Sequence, residues 1–332
     1  MRKILHSNII AEKLGRLRIP LYVVWGLTYR CNLRCLYCGI WRTRRRELKT
    51  ESILSIIDGL SQLGTKAICF SGGEPLLRND LGKIIAYAHE KNIPCIDINS
   101  NGTLVKQRIA SIKNIRLLCL TLDGPEEIHN RMRGRGTYKQ VLEAAQIARK
   151  NKIRVYFRTV LTKLNLEYID DVLNLANKMS IKVIFQPVRL LNYGTAYRHN
   201  LSATSNELRK AFKKLLLEKR KQNQAVNSPE EVLEYLIKWP RTKQIHCVSE
   251  KVFFHLGPDG KFFPCAWKRN LKTLEKTDAL KLGVSRAIKK LPQYDCQRCN
   301  NTSSLEFLHR LYSLLENEFD SRSNLIEKFK IN

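Results

Sequence analysis

Six short runs of apolar and β-branched residues recur along the first 190 residues: LYVVWGLT (21–28), KAICFS (66–71), PCIDINS (94–100), RLLCLTL (116–122), RVYFRTVL (154–161) and KVIFQPV (182–188). Between them the apolar spacing switches to a helical period, over about 50–63, 79–91, 103–111, 137–151 and 166–180. Short strands alternating with helices argue parallel βαβ units, because a helical crossover returns the chain in the same direction. The fold class expected is α/β, and six units suit an open, partial (β/α)6 barrel of the TIM type better than a closed eight-fold one. TYKQ at Thr137 to Gln140 reads as a capping box opening the fourth helix.

In sheets of this kind chemistry gathers at the carboxyl ends of the strands. The unusual segments fall there: CNLRCLYC (31–38) after the first strand, SGGEP (71–75) after the second, NSNGT (99–103) after the third and LDGPEEIHNRMRG (122–134) after the fourth. Four loops are thus expected to face one cavity. The first holds three cysteines, Cys31, Cys35 and Cys38, and the closest histidines, His6 and His89, lie outside it. A zinc site would prefer four ligands, and no residue nearby offers the fourth. Three thiolates on a four-iron cluster leave one iron open to bind something else, so ligand count favours iron–sulfur over zinc.

The chain has 332 residues, 43% hydrophobic and 27% charged, enough for one large α/β domain with a small appendage. No apolar run approaches the roughly 18–20 residues that span a bilayer. Ten cysteines without a signal-peptide core point to a reducing, cytoplasmic setting in which clustered thiols hold metal. Cys69, Cys95 and Cys119 stand singly in strands and read as small buried hydrophobes. Lys and Arg number 59 against 30 Asp and Glu, a formal +29, which favours anionic partners such as phosphates, nucleic acid or an acidic membrane surface. Residues 1–20 space Ile4, Leu5, Ile9, Ile10, Leu14 and Leu17 on one face of a basic helix, suited to packing on the domain or to lying on a membrane surface.

Beyond Gln186 the rhythm changes. A basic helix is expected over 206–224, and a second opening at SPEE with Ser228 as cap, Pro229 in the first turn and Glu231 closing a capping box. KVFFHLGPDGKFFPC reads as a hairpin about a Pro-Asp-Gly turn. Cys247, Cys265, Cys296 and Cys299 frame it, and four thiols in closed spacing suit zinc or a second four-iron cluster. The divisions expected are a basic N-terminal helix (1–20), the barrel (21–200), a helical linker (201–240), a cysteine-rich α+β unit (241–302) and a terminal amphipathic helix (303–332).

CNLRCLYC followed by SGGEP resembles the radical SAM superfamily, whose Cys-x3-Cys-x2-Cys loop binds a 4Fe-4S cluster with S-adenosylmethionine at the open iron. The resemblance covers about residues 20–190 and implies the same partial barrel. It implies cluster ligation by Cys31, Cys35 and Cys38, and Tyr37 beside the adenine, where a flat ring can stack. Gly72, Gly73, Glu74 and Pro75 match the motif that meets the methionine amino group, Ser100 and Asn101 an element near the ribose, and Arg133 an arginine on the methionine carboxylate. The implied reaction is reductive cleavage to a 5′-deoxyadenosyl radical that takes a hydrogen atom from substrate, with a flavodoxin or ferredoxin as low-potential donor. Asp123, Arg158 and Gln186 are the candidates on the substrate side. The rear cysteines, with Gly260 five residues before Cys265, resemble SPASM and twitch extensions, which implies a fully ligated auxiliary cluster suited to net oxidation.

Such extensions accompany peptide or protein maturation, the substrate class preferred from the sequence, with a small anionic, sugar or lipid substrate as the alternative. A basic nucleic-acid-binding protein with a rear zinc ribbon is the reading from another class. It leaves the front motif unused, and no aromatic side chains interleave the lysines of 209–221 for base stacking.

Overall fold

A computed structural model of the chain describes residues 18–188, 200–241, 249–265, 277–292, 299, 301, 302, 305, 306 and 309. Most of the N-terminal and C-terminal helices expected from the sequence, and Cys247 and Cys296, lie outside the described residues.

The six expected strands form: β1 (Tyr22–Thr28), β2 (Ala67–Gly72), β3 (Cys95–Ser100), β4 (Leu117–Thr121), β5 (Arg154–Leu161) and β6 (Lys182–Pro187). They pair in parallel in chain order. The crossovers are α1 (Thr50–Gln62), α2 (Leu81–Glu90), α3 (Val105–Ile112), α4 (Glu126–Arg133), α5 (Thr137–Lys150) and α6 (Ile169–Lys178). Alternation along each strand separates two faces. Val23, Trp25, Ile68, Phe70, Ile96, Ile98, Leu118, Leu120, Phe157, Val183 and Phe185 are nearly or fully buried in the main core with the crossover helices. The other, inner face carries Tyr22, Cys69, Asp97, Asn99, Cys119, Arg158 and Gln186, and several of these positions are only half-buried.

After the barrel come α7 (Ser205–Arg220) and α8 (Glu230–Lys238), packed on one another. A short turn, α9 (Ser249–Val252), leads to the hairpin β7 (Phe253–Leu256) and β8 (Phe262–Phe263), followed by α10 (Ala279–Leu282) and α11 (Val284–Lys289). The expected hairpin is there, with Gly260 in the left-handed region at φ 79°. It does not stand apart: β7 pairs in parallel with β1, so one eight-stranded sheet runs β6-β5-β4-β3-β2-β1-β7-β8. Tyr22 stacks on Phe253 across this seam, ring centroids 5.3 Å apart.

Two capping expectations are corrected. Thr137 is the first residue of α5, not its cap; its hydroxyl donates to the Gly134 carbonyl, and the Asn130 side chain of α4 accepts the Tyr138 N–H at 3.0 Å. At α8 the Ser228 hydroxyl donates to Glu306 instead of capping, and Pro229 takes the N-cap position. The one capping box among the described helices is Thr204 with Glu207 at α7, each side chain bonding the other's backbone end. No described helix is long and apolar enough to cross a membrane.

Candidate active site

The cysteine loop begins where β1 ends, and polar contacts fix its path. Glu47 accepts from the Thr28 hydroxyl and the Tyr29 N–H, and buried Arg78 reaches the Leu27 and Leu48 carbonyls while paired with Asp80. β2 ends on Gly72 and Gly73, whose backbone lies against the loop: Gly73 N–H donates to Thr28 O at 2.8 Å and Glu74 N–H to Arg30 O at 2.9 Å. A Cβ on Gly72 would lie 2.5 Å from the Thr28 oxygen, and one on Gly73 would overlap the Arg30 carbonyl. The glycine pair is therefore what allows the two strand ends to meet.

Glu74 is fully buried. Its Oε1 accepts from Leu76 N–H and the Ser100 hydroxyl, and its Oε2 from Asn101 N–H at 2.8 Å. Burial pushes its pKa up to about 7 against these hydrogen bonds. Glu74, Ser100 and Asn101 thus tie the β2 and β3 loops together. Asn101 also donates to Asn32 and lies 3.9 Å from the Cys31 sulfur, which brings the third loop onto the first. Pro75 is buried and opens a single 3₁₀ turn.

The fourth loop contributes α4. Met132 O accepts the Leu36 N–H, docking the cysteine loop on the helix. Arg133 Nε donates to Asp123 Oδ2 at 2.5 Å, Tyr37 donates to the same oxygen at 2.8 Å, and Arg133 Nη2 bonds the Tyr37 hydroxyl. Asp123 Oδ1 accepts Val160 N–H, so both carboxylate oxygens of this fully enclosed residue are used within the protein. His129, also fully enclosed, accepts the Asp123 N–H on Nδ1, and burial holds its pKa down to about 4. Sequence reasoning missed His129, Glu47 and Arg78. Only α4 had a readable signal: two acids in its first turn, two arginines in its last and Gly134 after it.

Burial pushes the Cys31 and Cys35 thiols up and Cys38 to about 11, while Arg133 pulls all three back. Thiolates here need further positive charge, which bound iron would supply. The donor set fits an iron–sulfur cluster by its chemistry: Cys31, Cys35 and Cys38 are free thiols on one short loop beside the positive charge of Arg133, and each can take its own iron. Of the rear cysteines, Cys265 lies two residues past the end of β8 and Cys299 donates its N–H to the Tyr235 hydroxyl at 3.2 Å. Arg158 and Gln186 stand on the inner face, on β5 and β6, below this assembly, with Gln186 paired to Val160.

Residues 25–176, most of the barrel, match the Radical SAM superfamily. Within its matched half the chain is 34% identical over 166 residues to an Fe-coproporphyrin III synthase of Methanosarcina barkeri, covering 48% of this chain and 41% of that protein. It is 28% identical to an AdoMet-dependent heme synthase of Oleidesulfovibrio alaskensis, covering 47% and 42%. The match spans about two fifths of each relative's length. The fold is that of anSMEcpe, solved with AdoMet and a peptide, at TM-score 0.62 and 17% identity over 89% of this chain and 97% of that one.

Proposed function

We propose that the chain is a radical S-adenosylmethionine enzyme that acts on a carboxylate-bearing small molecule held against the inner sheet face. The observation that carries this is the three-thiol loop, gripped by the Gly72–Gly73 ends and by the Tyr37–Asp123–Arg133 network, above a polar and half-open barrel interior. When bound to Cys31, Cys35 and Cys38, a 4Fe-4S cluster supplies the electron that splits the sulfonium and frees a 5′-deoxyadenosyl radical for hydrogen abstraction.

The chain's own residues do the positioning. Gly72 and Gly73 let backbone carbonyls come close to an amino group, and Arg133, with its charge fixed by Asp123, attracts the methionine carboxylate. Tyr37, held by its hydroxyl, keeps its ring in place for the adenine. Ser100 and Asn101 hold the ribose side of the pocket through Glu74. Asp123 acts as a positioning residue. The relatives' names point to tetrapyrrole substrates, and coproporphyrin bears carboxylates, which agrees with the excess of positive charge. Peptide or natural-product maturation is the second reading, favoured by the rear cysteines, which we assign to an auxiliary 4Fe-4S cluster on Cys247, Cys265, Cys296 and Cys299. A flavodoxin or ferredoxin is the donor.

The test is metal content and product release after anaerobic reconstitution. About eight irons are expected, falling to about four when Cys31, Cys35 and Cys38 are changed to Ala, with 5′-deoxyadenosine formed on reduction by the wild type alone. Four irons with one zinc would make the rear site a zinc module. Protein without iron would overturn the reading.

A further inference from the structure

Among the described residues, the inner sheet face holds one half-buried cation, Arg158, without an ion-pair partner. Arg158, on β5, pairs in register with Thr121 of β4 and Ile184 of β6, two residues below Val160, whose N–H binds Asp123. It therefore sits one pleat beneath the network that grips the cysteine loop. Its Nε is enclosed and has no hydrogen-bond partner. No carboxylate of the described residues lies within ion-pair distance of it, whereas Asp97, on the same face, is neutralised by the two-pronged contact of Arg116.

The groups that surround Arg158 do not cancel its charge. Cys119, Cys69 and Tyr22 are nearest in effect, and burial pushes the pKa of all three up, Cys69 to about 12, so they are neutral at neutral pH. Glu306 comes last in effect on Arg158, and its two oxygens are bonded to Asn227 and Ser228. A guanidinium whose Nε is shut off from water and donates to no protein atom is left poorly compensated. Its planar fork matches a carboxylate.

We propose that Arg158 anchors an acid group of the substrate, making the floor of the barrel a carboxylate-binding subsite. This rests on the reading of the barrel as a radical enzyme for a carboxylate-bearing molecule. The anchor sits on a strand flanked by β4 and β6, which fixes how far below the cysteine loop the acid group is held.

The test compares metal-free coproporphyrin III with its neutral tetraamide, followed by porphyrin fluorescence, on the reconstituted protein with S-adenosylmethionine present. The wild type is expected to favour the free acid by about tenfold or more, as a hydrogen bond to a charged group implies. Arg158→Gln is expected to bind both forms alike, and Arg158→Lys to keep part of the preference. Arg44→Gln, which removes one positive charge from the exposed surface, is expected to keep all of it. An acid preference unchanged in Arg158→Gln, or a wild type that binds the two forms equally or binds neither, overturns the assignment. The radical reading is judged separately, by 5′-deoxyadenosine released on reduction without porphyrin.

Discussion

At Gly73 a Cβ would overlap the Arg30 carbonyl, the atom that accepts the Glu74 N–H. Gly73→Ala must push the cysteine loop off β2, a backbone collision that no rotamer relieves. A loss of more than about 2 kcal/mol is expected in urea titration, together with poor iron uptake on reconstitution. His129 and Glu74 act on stability with opposite signs. The His129 pKa falls from 6.5 to about 4 on folding, so its contribution is present above about pH 6.5 and is lost as pH falls toward 4, by up to about 3 kcal/mol. The Glu74 pKa rises from 4.5 to about 7, so its contribution is full below about pH 4.5 and is lost as pH rises through 7. The stability gap between wild type and His129→Phe should therefore shrink by about 3 kcal/mol from pH 7 to pH 4; a gap independent of pH would mean that His129 titrates normally. The cysteines and the glycine pair were legible because their spacing is rare and has a chemical reason. His129 and Glu47 were not, since a single polar residue in a polar loop carries no period.

The strands were readable because the face each turns to the helices is uniformly apolar, so every run stood out against its flanks. α4 was taken for part of a loop: its apolar positions are only Ile128 and Met132, and its caps and end charges had to be weighed instead. Capping was the least legible feature. Thr-x-x-Gln at 137–140 has the right letters, yet Gly136, at φ 79°, starts the helix one residue early and leaves Thr137 inside it. Thr204 is the real case. Thr204→Ala removes an acceptor for the Glu207 N–H and is expected to cost about 1 kcal/mol, read as a lower urea midpoint at unchanged slope.

The hairpin was legible from its turn, but its partner was not, because the choice of β1 is made over some two hundred residues and leaves no local mark. That choice has a practical consequence. With β7 in place, β1 is an interior strand; without it, the β1 backbone from Tyr22 to Trp25 would face solvent as a row of unpaired donors and acceptors beside exposed apolar rings. A chain cut after residue 241 is expected to self-associate through that row, seen as high-mass species in light scattering, while the uncut chain does not do so by this route. The rear segment thus acts as a cover for the open edge of the strand that leads into the cysteines, shielding from other copies the row on which the site is hung.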